Sequence, residues 1–426
     1  MYLFQRVLFL AFFAFAIALV LHSCTVGSSM SSSKNKYPYD WEAKLMHPDY
    51  MIYHEDADSS LFYFQLASEE LLYTRSRPDE PFQSKLLITI DVEGVSGNLT
   101  YRDSIAFTYT STIGAEKGSQ QLIGKHKIKL PEGSNYLMKV KIKDQHRGTS
   151  ASGFVSTNKR ELIHRDNFLI LNENTLAPVF GNSIEVKENY LMSSDRVSAE
   201  KLNMASMAKE LPLPPPPDAY QKPRLEFKPE NDGELKAVMD IWSLTLDSGM
   251  HVITHQEIQG TMTLYGRVRD FPEVRELETL TTSIRYICSR NEYRKINDSN
   301  YPKKELDNFW IETAGSKDKA RELIRIYYKR IREANIYFSS VTDGWRTDKG
   351  LIHVVFGNPN KVIRETDAEL WIYGEENNLN SLTFRFLKKP SLYTDNLYVL
   401  ERSPMHKPSW DRAVSSWRNG RIFSEQ

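Results

Sequence analysis

His251 and His255 stand four residues apart in HVITH, the separation that puts two imidazoles on one helical face within reach of a single zinc ion. The residues between them are Val252, Ile253 and Thr254, a β-branched run that favours a strand. Positions four apart in a strand lie about 13 Å from each other, too far to share a metal. The pair also lacks the glutamate of a metalloprotease signature, so no metal site is expected. Cys24 and Cys288 are the only cysteines. Cys288, in SIRYICSR, shares a strand face with Ile284 and Tyr286 and reads as a small buried hydrophobe rather than a nucleophile.

A third stretch, DGWRTDKGLIHVVFGNPNKV at 343–362, brings an indole, a guanidinium, a hydroxyl and a carboxylate together in Trp345, Arg346, Thr347 and Asp348. Each of its unusual residues has a fold-building role to fill. Gly344 permits positive φ, and Trp345 is a large ring to bury whose indole N–H needs one partner. Thr347 and Asp348 can accept backbone amides in a tight turn that passes through Gly350 into a strand at 351–356. Gly357-Asn358-Pro359 then turns the chain toward a strand near 369–373. The stretch is expected to hold a corner of the fold rather than perform chemistry. The sequence has no nucleophile elbow, P-loop, dinucleotide fingerprint or C-x-x-C, and no cofactor is expected.

The elements that position these residues fall into three blocks. At 426 residues the chain is long for one domain, and 55 basic against 55 acidic residues give no polyanionic partner, so nucleic-acid binding is not expected. Residues 41–158 alternate with period two. Leu86, Ile88, Ile90 and Val92 share one face, as do Tyr136, Met138, Val140 and Ile142, while LFYFQL and LLYTR read as a hairpin. That pattern predicts an immunoglobulin-like β-sandwich. A second β-rich domain, also read as a sandwich, is expected over 159–295, with TLTTSIRYICSR as its last strand. It is interrupted at about 193–222 by a polar loop containing Pro212, Pro214, Pro215, Pro216 and Pro217. Such a run forms exposed polyproline II, a stiff connector or a candidate docking loop for an aromatic groove. The block 296–426 is α+β. KDKARELIRIYYKRIREANIYF (317–338) places Leu323, Tyr327, Ile331, Ala334 and Phe338 on one helical face. A shorter helix is expected at 305–315, and Trp410 and Trp417 share a face of a last one.

The N-terminus carries Arg6 and an uninterrupted apolar run from Val7 to Leu21, the proportions of a signal peptide over 1–23. Leu21-His22-Ser23-Cys24 resembles a bacterial lipobox, which implies acylation of Cys24 and a Ser-rich flexible tether over 24–40.

Gly344-Trp345-Arg346-Thr347-Asp348, the amphipathic helix before it, then Gly350, Gly357, Pro359 and Trp371-x-Tyr373, resemble the GWxTD-domain proteins over about 300–400. The resemblance implies a lipid-anchored or secreted protein of the Bacteroidota type with a β-rich region ahead of the domain, and it assigns no catalytic residue. Acidic residues just after the cysteine are usual in surface-exposed lipoproteins of that type. None precedes Asp40 here, which favours the periplasmic face of the outer membrane. The resulting expectation is a non-enzymatic, outer-membrane-anchored accessory or scaffold subunit of a cell-envelope complex of the protein-assembly or secretion type. The alternatives are a glycan- or peptidoglycan-binding lipoprotein using exposed aromatics, and an envelope hydrolase.

Overall fold

The computed structural model describes residues 31–32, 39–94, 99–111, 120–207, 211–220, 227, 231–374 and 381–423. The expected signal peptide and Cys24 lie outside them.

The first block forms a three-stranded sheet and a four-stranded sheet around one core. The smaller sheet orders Asp49–His54, Ser59–Ala67 and Gln121–Lys129; the larger orders Leu99–Ser111, Phe82–Gly94, Asn135–Asp144 and Ser150–Asn158. Period two places the core as expected, with Ile88 opposite Ile142, Ile90 opposite Val140 and Val92 opposite Met138, all buried. The hairpin at 61–75 does not form. A 3-10 turn at Ser68–Glu70 ends the strand, Leu71–Arg75 contributes a single bridge between Thr74 and Gln83, and LFYFQL pairs with 121–129.

The second block is one eight-stranded sheet. Its order is Ser183–Glu185, Met262–Arg267, Gly249–Thr254, Lys201–Met207, Asn231–Val238, Ile241–Leu244, Tyr190–Ser193 and Leu169–Asn172. Ile170 at one edge and Ile184 at the other share a core with Leu202, Trp242, Ile253 and Leu264, so the sheet bends over on itself. Lys201–Met207 lies inside the stretch expected as loop. Leu202 and Met204 turn to this core with Ser206 on the same face, while Met207 packs on the other face, so the alternation is too short to show as period two.

The third block is α+β. Four antiparallel strands, Lys361–Arg364, Ala368–Tyr373, Leu382–Lys388 and Tyr398–Leu400, face helices Pro302–Ala314, Lys317–Phe338, Asp348–Phe356 and Lys407–Arg418 over one core. The long helix starts at Ser316, whose hydroxyl accepts from the Lys319 amide, and buries the face of Leu323, Tyr327, Ile331, Ala334 and Phe338. Two expected strands are helices. TLTTS is helical over Leu277–Ser283 and IRY follows as a 3-10 turn, which puts Tyr286, Ile287 and Cys288 into this core. LIHVVF belongs to the helix Asp348–Phe356, in which every residue is buried. Thr347 caps it, accepting from the Gly350 amide at 3.1 Å, and burial on all sides overrides the β propensity of Ile352, Val354 and Val355.

The expected tether is in part fixed. Ser31–Ser32 pair with Ile363–Arg364 as an edge strand, and Tyr39 is buried beside Phe338 and Trp371. Neighbouring blocks also touch. Tyr53 Oη donates to Asp195 at 2.8 Å, Tyr265 Oη donates to the Tyr393 carbonyl at 2.8 Å, and Arg267 pairs with Asp343.

Candidate functional site at the motif helix

The five residues 344–348 join the long helix to the buried one. Gly344 does not adopt positive φ, contrary to expectation; it is small because a Cβ there would stand 1.8 Å from the Ala334 carbonyl oxygen. Gly350 meets the same restriction, 2.0 Å from the Gly344 oxygen. Two backbones therefore approach too closely for any side chain between them. Trp345 is 1 % exposed, edge-on to Tyr286, whose hydroxyl donates to the Trp345 carbonyl at 2.8 Å. Its indole N–H meets no acceptor among the described residues, so the ring is oriented by packing and by the Arg346 guanidinium 5.1 Å from its centroid. Asn335 Oδ1 accepts the Trp345 amide at 3.3 Å and Thr347 Oγ1 donates to the Gly344 carbonyl at 2.7 Å.

Asp348 does not shape a turn. It accepts the Leu400 amide at 2.7 Å and pairs with the guanidinium of Arg402, both side chains nearly inaccessible. Gly357 has φ +85° and leaves room for the Arg330 guanidinium, 2.6 Å from where a Cβ would be; Tyr373 Oη donates to its carbonyl at 2.8 Å. Pro359 is buried just beyond it.

Around this corner lies a set of buried charges whose grouping depends on tertiary structure. Lys349 Nζ is 3.3 Å from Glu369 Oε2 and 3.3 Å from the centroid of the Tyr398 ring. Glu369 also accepts from Tyr39 Oη at 2.5 Å and Trp371 Nε1 at 2.6 Å, with Arg364 Nε at 3.4 Å. Burial pushes the Lys349 ammonium down to about 8, against the opposing pull of Glu369. Burial alone would raise Glu369, but Lys349, Trp371, Tyr39 and Arg364 together hold it below the ordinary glutamate value. His353 is fully enclosed and contacts Glu333 at 3.0 Å; burial, opposed by that carboxylate, keeps its imidazole below the usual range. Of these groups Lys349 reaches a cavity, about 40 Å³, walled by Leu211, Pro212, Phe338, Val341, Leu397 and Tyr398. Tyr39, Lys349, Glu369 and Arg402 carried no sequence signal for these pairings, because they come from separate elements.

The proline segment is only in part exposed, at Pro212 and Pro216. Pro214 and Pro217 are buried, and the run 211–217 lies along the third block beside Tyr286, Tyr293 and Trp410. His251 sits in a strand, its ring bonded to Ser206 Oγ at 2.9 Å and the Asp247 carbonyl at 2.9 Å; His255 lies beyond the strand end. Among the described residues no cluster of three or more potential metal ligands occurs. Cys288 is buried, which pushes its thiol up to about 12. His54 and Ser60, in contact at 2.7 Å, form a Ser–His pair that sequence reading missed; both are fully enclosed, and the far ring nitrogen meets Thr157 at 3.0 Å.

Residues 249–419 match the model of the GWxTD domain. The chain carries a GWxTD domain. No curated protein matches it. A glycosyl hydrolase family 2 member from Bacteroides cellulosilyticus is similar over 28 % of this chain and 15 % of its own, at 8 % identity and TM-score 0.18. A Bacteroides uniformis β-glucuronidase is similar over 32 % and 17 %, at 10 % identity and TM-score 0.16. The C-terminal domain of the Streptococcus pyogenes antigen I/II-family protein AspA matches over 52 % and 100 %, at 7 % identity and TM-score 0.17. The chain thus spans under a fifth of the two Bacteroides enzymes, and TM-scores this low carry neither fold nor activity across.

Proposed function

We propose that the protein is a non-enzymatic lipoprotein, anchored in the outer membrane through Cys24 and facing the periplasm, that serves as an accessory or scaffold subunit of a cell-envelope complex. Its two β blocks, read as immunoglobulin-like sandwiches, present edges and loops to partners, and the GWxTD domain adds a further docking surface. The observation that supports this reading most is the use made of the motif. Gly344, Trp345, Thr347 and Asp348 are committed to internal contacts that lock two helices and a strand end, which suits a rigid platform. Among the described residues no helix is long and apolar enough to cross a membrane, so attachment in this reading falls to the lipid. Tyr39 is seated in the GWxTD domain fifteen residues after Cys24, a reach of at most about 50 Å. Acylation would keep that domain near the bilayer.

Trp410 and Trp417 are buried in the core, which counts against glycan binding through these two rings. The test is affinity purification of the tagged native protein from solubilised membranes. An envelope protein should co-purify in fixed ratio, and Cys24→Ala should move the chain out of the membrane fraction. Recovery of the monomer alone would count against the scaffold role.

A further inference from the structure

The strands Lys201–Met207 and Asn231–Val238 pair directly, with Ser206 opposite Asn231, so a short turn would join them. The chain instead makes an excursion through 208–230, and its proline run lies on the GWxTD domain. An excursion of that length between adjacent strand ends calls for a functional reason.

The contacts have the form of ligand on receptor. Polyproline II repeats every three residues. Pro214 and Pro217, three apart, are buried; Leu211, Leu213 and Pro215 are half-buried, with Leu213 against the domain core, and Pro212 and Pro216 are exposed. Four carbonyls are read in order: Leu211 by Arg346 at 2.8 Å, Pro215 by Arg402 at 2.9 Å, Pro216 by Arg402 at 3.3 Å, and Pro217 by the Ser403 amide at 3.0 Å. Prolines have no N–H, so these donors address the backbone of any such segment, while Tyr286, Tyr293 and Trp410 wall the groove.

We infer that this face of the GWxTD domain is a receptor for proline-rich, polyproline II segments, filled in the isolated chain by residues 211–217, and that a proline-rich segment of a partner protein competes for it. The groove selects an extended backbone with small apolar residues three apart. The resident segment, being tethered, acts at an effective concentration in the millimolar range and masks the site. This goes beyond the scaffold reading and does not depend on membrane attachment.

The test uses the purified full chain in detergent and a fluorescent peptide of residues 211–218. A Leu211→Ser, Pro214→Gly, Pro217→Gly variant vacates the groove. It is expected to keep its near-ultraviolet dichroism and to bind the peptide saturably, at least about tenfold more tightly than the unaltered chain. A peptide with every proline replaced by alanine should not bind. A folded variant with no saturable binding, or with equal binding of the alanine peptide, overturns the inference. Should that variant not fold, Pro216→Gly keeps the carbonyl and loosens the segment by roughly two- to fivefold. Peptide affinity should then rise by that factor, and an unchanged affinity overturns the inference. Concentration-dependent dimerisation of the vacated variant, abolished by the peptide, would overturn the choice of partner in favour of a second copy.

Discussion

Gly344→Ala separates two explanations of the glycine in the motif. Were the residue there for positive φ, alanine would fail for conformational reasons, but Gly344 does not adopt positive φ. Alanine would then stabilise the protein slightly, by about 0.5 kcal/mol, through the lost freedom of the unfolded chain. The structure gives the opposite sign. The new methyl would lie 1.8 Å from the Ala334 oxygen and 2.8 Å from Asn335 Cα, where an ordinary contact is 3.4 Å or more. Both neighbours are backbone of the long helix, so no rotamer can relieve the clash. The 3-10 turn must retreat by about 1.5 Å, carrying Trp345 out of its packing with Tyr286 and stretching the bond from its amide to Asn335. Overpacking of this kind costs about 3 kcal/mol, leaving a net loss of about 2.5 kcal/mol. In a domain of this size that lowers Tm by about 5–10 °C. Five of the seven tryptophans (Trp310, Trp345, Trp371, Trp410 and Trp417) lie in the GWxTD domain, so intrinsic fluorescence in a urea titration reads this domain above the others. An unchanged or raised midpoint would refute the close-approach argument.

Trp345→Ala should cost about 3–5 kcal/mol in the same titration, because an almost inaccessible ring leaves a cavity under Tyr286. Arg402→Met strands the Asp348 carboxylate and should cost about 3–5 kcal/mol, whereas Asp348→Leu combined with Arg402→Met should recover much of the loss; urea midpoints of the three chains decide it. His54 supplies a pH test. Burial, opposed by Asp166, holds its imidazole down to about 4 against an unfolded value near 6.5. A folded value below the unfolded one means that the stability is complete above about pH 6.5 and is lost as pH falls toward 4, by about 3 kcal/mol. His54→Gln should flatten that slope in urea midpoints measured from pH 7 to 4.

Period-two strands and the amphipathic helices were legible wherever an element has one wet face. Leu86 to Val92 and Leu323 to Phe338 alternate or recur because solvent selects their other side. The helix Asp348–Phe356 has no wet face, so its mostly apolar run Leu351–Phe356 imitates a buried strand, and the cap at Thr347 was the one available sign. Lys201–Met207 was missed for another reason: only Leu202 and Met204 turn to its core, and Met207 packs on the opposite face, so no run of period two stands out. Glycine and tryptophan of the motif were recognised as architectural, but the reason at Gly344 depends on a carbonyl ten residues upstream in a helix, which spacing does not reveal. The charge pairs Lys349–Glu369 and Asp348–Arg402 join separate elements, and periodicity carries no trace of such pairings.

Asp348 links the motif to the groove. Its carboxylate holds the Arg402 guanidinium through two nitrogens, and the same guanidinium turns to the carbonyls of Pro215 and Pro216. A buried guanidinium with no fixed carboxylate would bear an uncompensated charge and no defined direction. Arg346, one residue from Thr347, reads the Leu211 carbonyl at the other end of the run, 2.8 Å away. Its position follows from the 3-10 turn that Gly344 permits and Thr347 closes. The residues that make this corner rigid thus also set the separation of the two arginines along the peptide. A polyproline II segment advances about 3.1 Å per residue, and its stiffness demands donors at fixed intervals. The motif supplies that spacing from within the core, so residues that hold the corner together also set what the inferred groove can accept.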